Sequence, residues 1–146
     1  MEKLTSINGT PTGLVRYVYD GWRVVEELDE SYATTRSYTL GTDLSGSLEG
    51  AGGIGGLLAI TTGGATPSSR TTANYFHDGN GNVTDLALDD GSAAAHYVYS
   101  PFGERLAATG TWADVNAYQF SSKPRETING FYYYGLSRND AIEHRN

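Results

Sequence analysis

The chain has 146 residues, no cysteine, and 17 Asp plus Glu against 10 Lys plus Arg, a formal charge of −7. That length suits one domain with its own core, the missing thiols exclude disulfides and thiolate metal sites, and the negative charge repels nucleic-acid phosphates and anionic lipid surfaces. Its 19 glycines are nearly twice the roughly 7% share of an average protein, and with 11 tyrosines and only 4 prolines they point to aromatic strands joined by many turns.

Residues 1–14 read as a polar lead-in without the apolar stretch of a signal peptide. Val15, Tyr17 and Tyr19 then alternate with period two, the spacing of a strand, and end on the turn pair Asp20-Gly21. Tyr38 marks the next aromatic segment. The glycine-dense stretches at 50–56 and 62–69 enclose a short apolar run, Leu57 to Ile60, far below the roughly 20 residues of a membrane helix, so an irregular Gly-rich loop is expected over about 50–70. Tyr75 precedes the turn pairs Asp78-Gly79 and Asn80-Gly81; Tyr97 and Tyr99 follow Asp90-Gly91; Asn129-Gly130 precedes Phe131-Tyr132-Tyr133-Tyr134. Residues 136–146 form a divergent polar tail.

The leading aromatics recur. Tyr17 and Tyr38 are 21 residues apart, Tyr75 and Tyr97 are 22, and Tyr97 and Tyr118 are 21, with a gap of 37 between Tyr38 and Tyr75. A unit of that length holds two strands with their turns, and neighbouring units would share their buried surface. The fold expected is all-β: antiparallel hairpins forming a curved open sheet, in one segment over 15–135.

Chemical motifs fare poorly beside the structural alternatives. Gly50-x-Gly52-x-x-Gly55 has the letters of a dinucleotide loop, but the residues that follow cannot supply the helix that would hold a pyrophosphate. Asp78-x-Asn80-x-Asn82 opens like a calcium loop, yet Val83 stands where that loop needs Gly, and Asn-Gly turn chemistry explains the stretch. His77, His96 and His144 lack the i, i+4 spacing of a helical zinc site, and no Gly-x-Ser-x-Gly elbow is present. No catalytic residue, metal or cofactor is expected.

Tyr19-Asp20-Gly21, Tyr75 through Val83 (YFHDGNGNV) and Tyr97 through Leu106 (YVYSPFGERL) resemble consecutive units of the Rhs/YD-repeat family. Phe120-Ser121-Ser122-Lys123 and the stretch from Thr127 to Gly135 are similar to the start of the Rhs-associated core that follows such repeats. The resemblance implies a β-ribbon that spirals into a hollow shell enclosing a polymorphic toxin, bacterial and secreted or cell-surface, with Tyr17, Tyr19, Tyr38, Tyr75, Tyr97, Tyr99 and Tyr118 as its repeat aromatics. It implies a structural segment rather than an enzyme. Partners would be the rest of the shell, or further copies through sheet edges, with no nucleic acid and no membrane insertion. The family's self-cleaving aspartate pair is incomplete here: Asp140 stands near the second position, followed by Ala141 where the family has Pro, and the first aspartate is absent. One carboxylate cannot share a proton as a dyad does, so self-cleavage is not expected and no toxin segment is expected after Asn146. The alternative is a glycan- or protein-binding β-module that uses Trp22, Tyr132 and Tyr134.

Overall fold

The structure, a computed structural model, describes residues 2–7, 10–64, 66–125 and 132. Nine strands are present: β1 (Glu2–Ile7), β2 (Thr10–Asp20), β3 (Arg23–Leu28), β4 (Thr34–Leu40), β5 (Leu57–Gly63), β6 (Arg70–His77), β7 (Val83–Leu88), β8 (Ala93–Tyr99) and β9 (Arg105–Thr109). Each pairs antiparallel with the next in a single open sheet whose order is the chain order, so β1 and β9 are its edges. No α-helix occurs among the described residues. The expected all-β hairpin architecture is present.

Two expected boundaries move. The 1–14 lead-in contains β1 and the start of β2, so the sheet begins well before Val15. The loop expected over 50–70 is interrupted by β5, because Leu57 and Ile60 bury themselves in the sheet and the β-branched Thr61 and Thr62 suit a strand. The irregular segment is instead residues 41–56.

Cross-strand register puts Tyr17 beside Glu27, Tyr38 beside Ile60, Tyr75 beside Leu86 and Tyr97 beside Ala108. Directly opposed residues share a face, as do residues two apart on a strand. All of these side chains therefore lie on one face, here called the inner face. The period of about 21 residues is thus two strands, with the ring on the even-numbered member. The 37-residue gap comes from the long 41–56 connection and not from a break in strand order. Ile60, Ala73, Tyr75, Val83, Leu86, Ala95 and Tyr97 form the centre of the core, with Ile60 and Val83 wholly inaccessible. Register shifts in seven of the eight strand pairs mark bulges, which increase local twist in a sheet of this width.

One turn geometry recurs at 29–33, 43–47, 78–82 and 100–104. The first residue's N–H donates to the fifth residue's carbonyl, and the fourth residue's N–H donates back to the first. The fourth residue is left-handed: Tyr32, Gly46, Gly81 and Gly103 all have positive φ. In each turn an Asp or Ser side chain at the first position accepts the third residue's N–H, as Asp29 does from Ser31 at 2.8 Å and Asp78 from Asn80 at 2.9 Å. This is a type I turn closed by a left-handed residue, with the side chain adding the Asx interaction. Tyr32, the bulky exception at φ 62, carries the Arg16 guanidinium 4.0 Å above its ring.

Asp43 turns the Gly-rich 41–56 segment into ordered structure. Its Oδ1 accepts the Ser45 hydroxyl at 2.6 Å and the Ser45 N–H at 2.9 Å, while Oδ2 accepts the N–H groups of Ala51 at 2.7 Å and Gly53 at 3.1 Å. From the same segment, Glu49 accepts the Trp22 N–H at 2.9 Å and so ties the loop to the β2–β3 hairpin. The Ser45 hydroxyl, followed by these backbone donors, outweighs partial burial and lowers the Asp43 carboxyl from 3.8 to about 2. A carboxyl with a depressed folded value stabilises above its unfolded value and loses that contribution as pH falls through the folded one. Asp43→Asn is therefore expected to lower the urea midpoint at pH 7, and the gap between variant and parent should shrink between pH 4 and pH 2. A constant gap across that range would contradict this account of the loop.

Candidate functional site

After β9 the chain reverses and crosses its own sheet. Gly110 makes the reversal at φ 101, where a Cβ would stand 2.3 Å from the Ala94 carbonyl oxygen, and the Trp112 N–H then donates to that oxygen at 2.9 Å. Residues 111–125 form a strap over the inner face from β8 toward β4. It is held less by apolar contact than by a polar lattice.

Asn116, 1% exposed, is the hub of that lattice. Its Oδ1 accepts the Tyr75 hydroxyl at 2.7 Å and the Tyr118 N–H at 3.2 Å; its Nδ2 donates to the Tyr118 carbonyl at 2.6 Å and to the Tyr97 hydroxyl at 3.3 Å. Tyr97 in turn donates to the Ala113 carbonyl at 2.9 Å, and Tyr99 to the Val83 carbonyl at 2.7 Å. Further along, Tyr118 meets the Tyr38 ring edge-on at 5.0 Å, and Phe120 lies between Tyr99 at 5.6 Å and Tyr132 at 5.8 Å.

The far end of the strap locks two connections together. The Val83 N–H donates to the Gln119 carbonyl at 3.0 Å, the Ser121 N–H to Asn82 Oδ1 at 2.8 Å, and the Ser122 hydroxyl to the Gly81 carbonyl at 2.7 Å while accepting the Gly55 N–H at 2.9 Å. Lys123 Nζ donates to the Gly52 carbonyl. Ser121 and Ser122 both sit at φ 52, a left-handed conformation that costs a non-glycine residue free energy and persists where surrounding bonds over-determine it.

Electrostatics follow burial. Burial first, and the Glu27 carboxylate second, push the Tyr38 phenol well above its usual value; burial and then Tyr118 do the same for Tyr75. These rings therefore stay protonated as donors at neutral pH. Glu27 is itself buried, accepting the Tyr38 hydroxyl at 2.6 Å and pairing with Arg36 at 3.1 Å. Burial lowers Lys123 and His77, with Asp43 and Asp78 respectively opposing the shift.

The structure brings Tyr38, Tyr75, Tyr97 and Tyr99 together under the strap, with Tyr17 half-buried and Tyr19 more open. Tyr118 shares the sequence period but belongs to the strap and not to a strand; it packs onto Tyr38 from above, and this corrects its assignment as a repeat-strand aromatic. Trp22, 82% exposed at a hairpin tip, and Tyr132, whose ring packs on Phe120, do not form one platform. Tyr134 and Asp140 lie outside the described residues. His96 pairs with Asp85 at 2.7 Å on the outer face, where Glu26, Ser37, Thr61 and Arg70 line a shallow polar groove. Asn116, Glu27, Asp43 and Gln119 escape sequence reasoning: each is a single polar residue without a motif, and only a strong strand assignment around Glu27, which puts it opposite Tyr17, could have flagged one of them.

No family profile matches the sequence, and no curated protein matches it. Among solved structures the chain is similar in fold to the crystal structure of TcdB2-TccC3, an Rhs/YD-repeat toxin complex, with a TM-score of 0.60 and 19% identity, over 92% of this chain and 6% of the other. The chain thus spans a small part of that protein's length, and the likeness establishes the fold.

Removing one partner of a buried hydrogen bond exposes the cost of the other's desolvation, roughly 1–3 kcal/mol. Tyr75→Phe should therefore cost about that much in urea unfolding followed by Trp112 emission, and Asn116→Ala, which strands three partners, should cost more. A Tyr75→Phe midpoint equal to the parent's would remove Asn116 from its place as hub.

Proposed function

We propose that this chain is a wall segment of an Rhs/YD-repeat shell, with a structural and not a catalytic role. The observation that carries the reading is the sheet's openness: among the described residues nine strands follow one another in order, and β1 and β9 each pair with a strand on one side only. A single-layer ribbon of this kind gains nothing from stopping, since each edge offers unpaired N–H and C=O groups to a further strand. The fold likeness to TcdB2-TccC3, an Rhs/YD-repeat toxin complex, supports the same reading. So does the chemistry of the inner face, where the hydroxyls of Tyr38, Tyr75, Tyr97 and Tyr99 are each committed to a structural acceptor.

In a shell the partners of this segment are sibling strands continuing the ribbon at β1 and β9. The isolated chain should then associate through those edges. On β9, Leu106 is exposed and sits at the register shift between Arg105 and Ala107. A lysine on an edge strand disfavours pairing with another chain. Light scattering coupled to size exclusion is expected to show concentration-dependent oligomers of the parent that diminish in Leu106→Lys. A parent that stays monomeric at every concentration tested would remove the edge-pairing account.

A further inference from the structure

The crossing of the strap over the β6–β7 hairpin holds two buried polar atoms without hydrogen-bond partners: Nε2 of His77 and Oε1 of Gln119. Both residues adjoin Val83. His77 lies directly opposite Val83 across the β6–β7 pair, and Val83 gives its N–H to the Gln119 carbonyl. The imidazole faces inward, stacked with the Tyr75 ring at 6.3 Å and 28°. Gln119 is 3% exposed, with its amide Nε2 engaged by the Asn116 carbonyl at 3.2 Å. Native proteins leave few buried polar groups unpaired, and each one that remains calls for a physical explanation.

We propose that the strap is a pH-sensitive latch: a neutral His77 permits the strap to lie closed on the β6–β7 hairpin, and protonation of its imidazole releases residues 111–125 from the inner face. The charge would arise where there is little to receive it. The ring's neighbours are Tyr75 on β6, Asp78 next in the chain and Val83 opposite on β7; Val83 in turn accepts the Tyr99 hydroxyl of β8 and donates to the Gln119 carbonyl of the strap. Asp78 is the one charge in that set. Its carboxylate is already occupied by the N–H groups of Asn80 and Asn82 at 2.9 and 3.0 Å and by Asn82 Nδ2 at 2.8 Å.

The sign follows from linkage. Burial lowers the folded-state His77 value from 6.5 and outweighs the attraction of Asp78. A strap-open state with a solvated ring therefore binds the proton more tightly than the closed state. Closure is fully favoured above pH 6.5 and weakens as pH falls, until the closed state is protonated as well. The opening constant should rise by the ratio of the two acid constants, tenfold for each unit that separates them. The latch operates in the full chain whether or not the sheet is part of a larger shell.

Hydrogen exchange read by mass spectrometry on the full chain tests this, with protection factors over 111–125 corrected for intrinsic rates at pH 7.5, 6.5, 5.5 and 4.5. That window lies above the ordinary range of Asp43 and Asp78. The parent's strap should lose protection as pH falls below 6.5, and with it the Val83 amide that bonds the Gln119 carbonyl, while the β5 and β6 amides of the sheet ladder keep theirs. His77→Gln should abolish the pH dependence and His96→Gln, on the outer face, should leave it intact. Gln119→Glu, which places an acceptor carboxylate at the crossing, should reverse the slope so that acid tightens the strap. Flat protection in the parent, an unchanged slope in His77→Gln, or a parent-like slope in Gln119→Glu would each overturn the latch.

Discussion

A sheet one layer thick can bury one face only if something else covers it, and in this chain the cover is the strap hung on Asn116. Two layers of secondary structure are the ordinary minimum for a core. Here the second layer is a 15-residue crossing with one short 3-10 turn, Phe120–Ser122, whose own backbone bonds run through turns such as Asn116 N–H to the Trp112 carbonyl and through the bridge of Tyr118 with Pro124. Polar groups that those turns do not satisfy, such as the Trp112 N–H and the Ala113 carbonyl, find partners on the sheet beneath. Tyrosine answers both needs, because its ring supplies apolar area and its hydroxyl reaches a polar partner on the facing layer. Leucine at 75 or 97 would cover the same strand and leave Asn116 or the Ala113 carbonyl without its donor.

A second constraint acts at the far end of the strap. Ser121 and Ser122 reach Asn82 Oδ1 and the Gly81 carbonyl, both in the 78–82 turn, while Lys123 reaches the Gly52 carbonyl of the 41–56 loop. At Gly81 a Cβ would stand 2.5 Å from Ile54 Cγ2, so the same glycine that closes the β6–β7 turn also lets the 41–56 loop pack against it. The Asp or Ser at the first turn position fixes each turn internally, and in the 78–82 turn the Gly81 carbonyl is then met by the Ser122 hydroxyl.

How much of this the sequence discloses depends on whether a feature repeats. The rings of Tyr38, Tyr75 and Tyr97 are legible because their spacing recurs and because Asp-Gly and Asn-Gly pairs punctuate the strands between them. β5 is hidden, since as an odd-numbered strand it carries no ring and the glycines on either side lower its apparent strand character. Tyr118 misleads for the opposite reason: its spacing continues the period although the chain has already left the sheet. Asn116 carries four hydrogen bonds and no local signal, because its partners are 41, 19 and 2 residues away and a side-chain amide has no periodic signature. Asp43 is similar, holding a loop whose composition reads as disorder.

The small residues complete the logic of the inner face. Ala73 precedes Tyr75 by two positions on β6, as Ala95 precedes Tyr97 on β8, and both alanines are buried. Positions two apart on a strand are neighbours on one face, so each ring has a gap of its own to tilt into while its hydroxyl rises to the strap. A second large side chain at 73 or 95 would compete for that space in a packed interior, where added volume costs as much as lost volume. The alternation of ring and methyl on β6 and β8 therefore sets where the strap can lie as well as how the sheet packs. At the centre of the face Ile60, Leu86 and Val83 close the floor beneath it.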